Sequence, residues 1–111
     1  MKVFFLILNK EEFLEEILEV FLELNIPGAT VIDSVGMGAI LAKDIPIFAG
    51  FRNLFQGSRS GNKTIVTLLS EEMVEPLVTA IEQVIGPLSA PGNGLAFTVT
   101  ADNTFGLKPP L

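Results

Sequence analysis

The sequence predicts an α+β domain, and three observations lead to that prediction. Two amphipathic helical patterns alternate with four short apolar β-rich patterns within 111 residues. Apolar residues make up 49% of the chain and charged residues only 18%, which suits one domain with a large core. Each half of the chain has the order strand, helix, strand, without a repeated sequence. We therefore expect residues 1–111 to form a single domain, with a long loop at 39–62 and a tail at 101–111.

The first strand is apolar on both of its alternating faces, so both faces need a cover. These faces are Val3, Phe5 and Ile7 on one side and Phe4, Leu6 and Leu8 on the other. Asn9 follows with Glu12 three residues later, an arrangement typical of a helix N-terminus. The predicted helix ends at Pro27-Gly28, and its apolar stripe is Phe13, Leu14, Ile17, Leu18, Phe21 and Leu22.

Three further strands and a second helix complete the pattern. The strands are Ala29 to Met37, Lys63 to Leu69 and Leu95 to Thr100. Ser70 stands at the capping position of a helix that Gly86 ends, and Pro76 is expected to loosen or bend that helix. The apolar stripe of this helix is Val74, Leu77, Val78, Ile81, Val84 and Ile85.

These elements predict a ferredoxin-like βαββαβ sandwich: a four-stranded antiparallel sheet with two helices on one face and a long loop between strands 2 and 3. Two helices cover only one face of the sheet. We assign Phe4, Leu6 and Leu8 to the uncovered face, where burial of each side chain is worth roughly 1.5 to 3 kcal/mol. The sequence therefore predicts a closed homo-oligomer whose sheets cover one another.

The segment between the second and third strands is longer than a compact domain usually carries without a function. Within it, Pro46 to Phe55 has the spacing of a short amphipathic helix. We expect Phe48, Phe51 and Phe55 to anchor this helix against the assembly, in preference to binding a partner.

A small, basic stretch from Gly57 to Lys63 follows that helix. Its backbone amides and its two cations make Arg59 and Lys63 candidates for contact with an anion or with a partner protein. A mobile tip from Ser58 to Asn62 explains the same composition without a ligand. The spacing matches no established phosphate-binding loop.

The overall charge and the absent residue types exclude several functional classes. The chain has 7 basic and 13 acidic residues, a net charge of −6, which disfavours nucleic acid and anionic lipid as partners. It has no Cys and no His, so it lacks thiolate chemistry, the usual general base and the commonest metal ligand. No apolar run reaches the roughly 20 residues of a membrane span. We expect a cytoplasmic protein that is not an enzyme and does not span a membrane.

Four features, in their order along the chain, resemble the PII nitrogen-regulatory signalling superfamily. They are Gly28-Ala-Thr-Val31, Gly36-Met-Gly38, the long loop and Gly92-Asn-Gly94, and the resemblance spans nearly the whole chain. It implies a non-enzymatic homotrimer with inward-facing sheets that binds a small effector, commonly ATP or ADP, between subunits. It also implies that the long loop contacts a transporter or an enzyme. By motif, the cleft is lined by Thr30, Gly36, Gly38, Gly92 and Gly94.

Two departures from the family pattern bear on the effector. Leu95 stands where PII proteins usually carry a Lys, and Asn103 to Leu107 lacks the arginines found near the end of the fourth strand. Loss of several charge-assisted contacts, at about 1.5 to 3 kcal/mol each, removes most of a micromolar affinity. We therefore expect ATP to bind weakly or not at all, and the effector to be smaller or less charged.

Two functional classes remain open from the sequence. One is a trimeric sensor that relays a small ligand to a partner protein, and the other is an assembly module with an empty cleft. The paired glycines favour the sensor because they let two backbones approach a ligand closely. Turn geometry explains the same glycines in the assembly module.

Overall fold

The computed structural model describes residues 1–44, 61–107 and 109. Within them, the strands are β1 (Lys2–Leu8), β2 (Thr30–Ser34), β3 (Asn62–Leu69) and β4 (Gly94–Thr100). The α-helices are α1 (Leu14–Glu23), α2 (Met37–Asp44) and α3 (Val74–Ile85). The strands form one antiparallel sheet in the order β2-β3-β1-β4, which confirms the predicted α+β fold.

The central strand β1 is paired along its whole length on both sides. Lys2 to Leu8 pair with Lys63 to Leu69 of β3 and with Gly94 to Thr100 of β4. β2 pairs with β3 alone, through Thr30 to Ser34. β2 and β4 are therefore the two edges of the sheet.

The core lies between one face of the sheet and two helices, α1 and α3. Its fully buried large side chains are Phe4, Leu6, Leu8, Ile17, Ile65, Leu77 and Ile81. The stripe predicted for α3 is confirmed, because Leu77, Ile81 and Ile85 are buried. In α1, Val20 is buried whereas Leu22 is 59% exposed, so the buried stripe includes one residue that was not predicted and lacks one that was.

The helices cover the face of β1 that carries Phe4, Leu6 and Leu8, so our assignment of these residues to the uncovered face is wrong. In a strand that is apolar on both faces, alternation alone does not determine which face meets the helices. The uncovered face is here called the open face. It is formed by the residues of each strand that alternate with those facing the helices. Its apolar members are Val3, Phe5, Ile7, Ile32, Val66, Leu68, Leu95, Phe97 and Val99.

The second strand is shorter than predicted, because β2 ends at Ser34 and α2 begins at Met37. Within the segment predicted as a long loop at 39–62, residues 39–44 are helical and Asn62 is the first residue of β3. Asn62 is also buried, so it is not part of a mobile tip. The predicted helix at 46–55, its phenylalanines and Arg59 lie outside the described residues.

The helices that cover the sheet begin differently from our prediction. Each starts with a 3-10 turn, Glu11–Phe13 or Glu71–Met73, and neither start has a side-chain cap. Ser70 contributes its carbonyl, which accepts from the N–H of Met73 at 3.0 Å. Pro76 is the third residue of α3, in the first turn, where a missing N–H removes no helical hydrogen bond. α3 accordingly continues unbroken to Ile85.

Candidate functional site

A cluster of polar side chains lies where β1 and β2 end and β3 begins. Ser34 Oγ donates to Asn62 Oδ1 and lies 2.8 Å from Thr64 Oγ1. Since Ser34 has only one proton to donate, Thr64 is the donor in the second bond. Asn62 Nδ2 donates to Asn9 Oδ1 at 3.2 Å, and Asn62 is only 7% exposed. This polar cluster fixes both ends of the segment 35–61 to the sheet.

Sequence reasoning missed the polar cluster. Asn9 was interpreted as a helix cap, yet its side-chain oxygen accepts from Asn62. The available signal was the pair Asn62 and Thr64, two polar residues with the same parity at the start of β3. Polar groups of that kind, when buried, almost always have hydrogen-bond partners.

Lys63, which we predicted to contact an anion or a partner, is held by two carboxylates. Its Nζ donates to Asp33, its pairing partner on β2, and lies 3.8 Å from Glu11 Oε1. The hydrogen bond with Asp33 raises the pKa of Lys63 above its usual value of 10.5. The ammonium therefore stays charged across the neutral range. The stability that the raised pKa contributes is lost only as the pH rises through the pKa of Lys63 in the folded chain. An anion at Lys63 must compete with both carboxylates.

The candidate glycines form two groups at the same end of the sheet but at opposite edges. Gly36 and Gly38 follow β2, whereas Gly92 and Gly94 lead into β4. β3 and β1 lie between these edges, so three inter-strand spacings, about 14 Å, separate the two groups. Within one chain, a ligand that contacts both groups would have to span that distance.

Backbone geometry explains the glycines before β4. Gly92 and Gly94 have φ values of 83° and 152°, which favour glycine. A Cβ on Gly94 would lie 2.6 Å from the carbonyl oxygen of Ile7. The side chain of Asn93, 6% exposed, donates to the carbonyl of Pro87 at 2.6 Å and holds the turn. The fold requires this turn with or without a ligand.

A pair of substitutions separates structural glycines from those available to a ligand. Gly94→Ala is expected to destabilise the protein by about 2 to 4 kcal/mol, because the new Cβ meets the Ile7 carbonyl. Gly36→Ala is expected to change stability by less than about 0.5 kcal/mol, because the nearest atom to its Cβ is Asn62 Nδ2 at 3.8 Å. Urea unfolding of the two variants measures the difference. Equal stabilities would contradict the backbone explanation of Gly94.

Thr30, the fifth candidate, lies far from both glycine groups. It is at the start of β2, about 10 Å along the strand from Asp33. It lines a cavity of about 340 Å³ whose other walls include Val66, Leu68 and the C-terminal residues Phe105 to Leu107. Within one chain, Thr30 therefore contributes to a different surface.

Three further observations concern metal binding, membrane insertion and similarity to known proteins. Among the residues that the structure describes, no group of three or more His, Cys, Asp or Glu could hold a metal ion. Within the same residues, no helix is long and apolar enough to cross a membrane. A scan against protein-family models and a search of curated proteins find no match to this chain.

Proposed function

We propose that this chain is a non-enzymatic, PII-like regulatory protein that acts as a homotrimer in the cytoplasm. A small effector binds in clefts between copies, and the segment between β2 and β3 acts on a partner protein such as a transporter or an enzyme. The observation that carries this proposal is the apolar open face, with one glycine group at each of its edges.

The open face favours association because its apolar side chains remain in water in the single chain. Exposed fractions are 56% for Leu95, 43% for Phe97 and 48% for Ile32 at the opposite edge. The rings of Phe5 and Phe97 stack with centroids 4.7 Å apart, so the apolar surface is continuous from β1 to β4. Apolar patches of this extent usually mark interfaces. Other copies are the simplest cover, since one surface then supplies both sides of the contact.

Association also supplies a way to form one site from two glycine groups. About 14 Å separates the groups within one chain, whereas contact between unlike edges of two copies brings them close. Backbone then approaches the effector from both sides without intervening side chains. The cleft of this proposal therefore belongs to two copies.

The segment after β2 is suited to report on such a cleft. Gly36 immediately precedes α2, and its carbonyl accepts from the N–H of Ile40 at 3.2 Å. An effector beside Gly36 therefore lies next to the first turn of α2. The polar cluster and the Lys63–Asp33 pair attach both ends of the segment to the sheet. A displacement at Gly36 would therefore move the segment relative to a sheet that stays in place.

A second candidate, an assembly module with an empty cleft, is favoured by two observations. The geometry of Gly94 is explained without a ligand. Two cations at this end of the sheet are already engaged: Lys63 by Asp33 and Glu11, and Lys10 by the carbonyl of Ile85 at 3.0 Å. A triphosphate would have to displace these contacts.

A ligand screen distinguishes the two candidates. We expect ATP to produce little thermal stabilisation and to bind more weakly than 1 μM by calorimetry, since Leu95 and the segment from Asn103 to Leu107 offer its phosphates no cation. A smaller or less charged effector at 100 times its Kd would add about 2.7 kcal/mol to stability. The panel contains ATP, ADP, inorganic phosphate, sulfate and small carboxylates. Submicromolar ATP binding would overturn the effector prediction, and a panel without any shift would favour the assembly module.

A further inference from the structure

We infer that the chain binds a small, uncharged and largely apolar molecule in a second cavity, at the end of the sheet opposite the glycine groups. This cavity has a volume of about 690 Å³ and is here called the apolar cavity. The inference goes beyond the proposed function and does not rest on it, because the residues of one chain suffice to form the site.

The apolar cavity lies where β1 begins and β3 ends. Its walls come from Met1, the connection between α1 and β2, the end of β3, the 3-10 turn that follows β3, and the tail. The glycine groups lie at the other end of β3, whose eight residues span about 24 Å. Thr30 lines the smaller cavity nearby and is not a wall of this one. The apolar cavity is therefore separate from all five candidate effector residues.

Most of the walls are apolar. Ile26 and Leu69 are buried members of the core, and Leu24 and Met73 pack against the core from the two connections. A buried water needs two to four polar partners, which such walls do not supply. The volume is within the roughly 300 to 1,000 Å³ of small-molecule pockets. An apolar molecule of matching size therefore gains more from this cavity than water does.

The polar residues of the walls select against an anion. They are Asn25, Ser70 and Glu72, and the described lining residues include no Lys and no Arg. An anionic ligand would lose water against the apolar walls and would lie near the Glu72 carboxylate. A hydroxyl group, in contrast, can bond to an amide, a hydroxyl or a carboxylate. The composition of the walls thus favours an uncharged molecule with few polar groups.

Hydrogen bonds hold the connection between α1 and β2 in place as a wall. At its start, the N–H of Ile26 donates to the carbonyl of Phe21 at 2.9 Å. At its end, Thr67 Oγ1 donates to the carbonyl of Gly28 at 2.6 Å, and Thr67 is buried. This wall is therefore formed before a ligand arrives, which lowers the entropic cost of binding.

The three methionines of the chain provide a direct test. Met1 and Met73 line the apolar cavity, whereas Met37 is at the start of α2 and is 73% exposed. With carbon-13 in the methionine methyl groups, octanol is expected to shift the NMR signals of Met1 and Met73 and to leave that of Met37 in place. Met37→Leu and Met73→Leu assign the signals. Unchanged Met1 and Met73 signals, or equal shifts of all three, would overturn the inference.

Octanoate is the matched anion of the same chain length and tests the class of ligand. In the same titration, octanol is expected to bind at least about ten times more tightly than octanoate, because the carboxylate must be desolvated near Glu72. Equal or tighter binding of octanoate would overturn the assignment of an uncharged ligand.

Two tail variants test the position of the site. Leu107 lines the apolar cavity, so Leu107→Gln is expected to weaken octanol binding by about fivefold. Phe105 lines only the smaller cavity and is 93% exposed, so Phe105→Gln is expected to leave octanol binding unchanged. Both residues lie outside helices and strands, and circular dichroism confirms that the variants are folded. Equal effects of the two substitutions would contradict this position.

Phe97→Glu separates this inference from the proposed function, because its added charge disfavours contact between open faces. Octanol is expected to bind the wild type and Phe97→Glu equally. Binding to Phe97→Glu alone would show that a second copy fills the apolar cavity, and would overturn the inference. A monomeric wild type that binds octanol would overturn the proposed trimer and support the apolar site.

Discussion

Phe97→Glu is expected to convert a trimer of about 36 kDa, three times the chain mass of 11.9 kDa, into folded monomers. Phe97 lies midway along the edge strand β4 and stacks on Phe5 of the central strand β1, both on the open face. A carboxylate there must lose its water when two open faces meet, which costs several kcal/mol. In the single chain it remains partly in water, since Phe97 is 43% exposed, so the fold persists. Sedimentation velocity measures the mass, and circular dichroism measures the fold.

Thr98→Glu is the matched control for this variant. Thr98 is the next residue on β4, is exposed and points away from the open face. The same added charge is therefore expected to leave the trimer intact. If Phe97→Glu remained a trimer as Thr98→Glu does, the open face would not be the interface.

Leu6→Glu is expected to abolish cooperative folding. Leu6 is 0% exposed in the core that β1 forms with α1 and α3, and no described cation lies in that core. An unpaired carboxylate at such a position is far costlier than a cavity, and Leu6→Ala alone is expected to cost about 2 to 5 kcal/mol. Thermal unfolding followed by circular dichroism should show no transition for Leu6→Glu.

Ile7→Glu is the control one residue along the same strand. Ile7 lies on the open face and is half-buried, so this variant is expected to fold but not to assemble. The two variants differ by one position, and that position decides which face receives the charge. The reverse result, an unfolded Ile7→Glu and a folded Leu6→Glu, would contradict the observed orientation of β1.

The sequence was sufficient to predict the sheet and its two covering helices. β1, β3 and β4 each have a short apolar run between turn residues, and the observed bounds differ from the predicted ones by one residue. β2 was predicted too long because alternation continues through Val35 and Met37. Where that alternation gives way to α2 depends on packing beyond the local pattern.

The orientation of the sheet and the polar cluster required the structure. β1 is apolar on both faces, so its pattern does not distinguish Leu6 in the core from Ile7 on the open face. Asn9 and Asn62 are 53 residues apart in sequence, and no local rule predicts that they bond. The candidate glycines were found by motif. Their separation to opposite edges follows from the strand order, which places β3 and β1 between them.

Native mass spectrometry of the wild-type chain with the ligand panel tests the central claim most directly, because it reads the mass of the assembly and the number of bound ligands together. The proposed function predicts a trimer of about 36 kDa that binds up to three copies of a small effector, one for each cleft between chains. A monomer of 11.9 kDa that binds the effector on its own would contradict it.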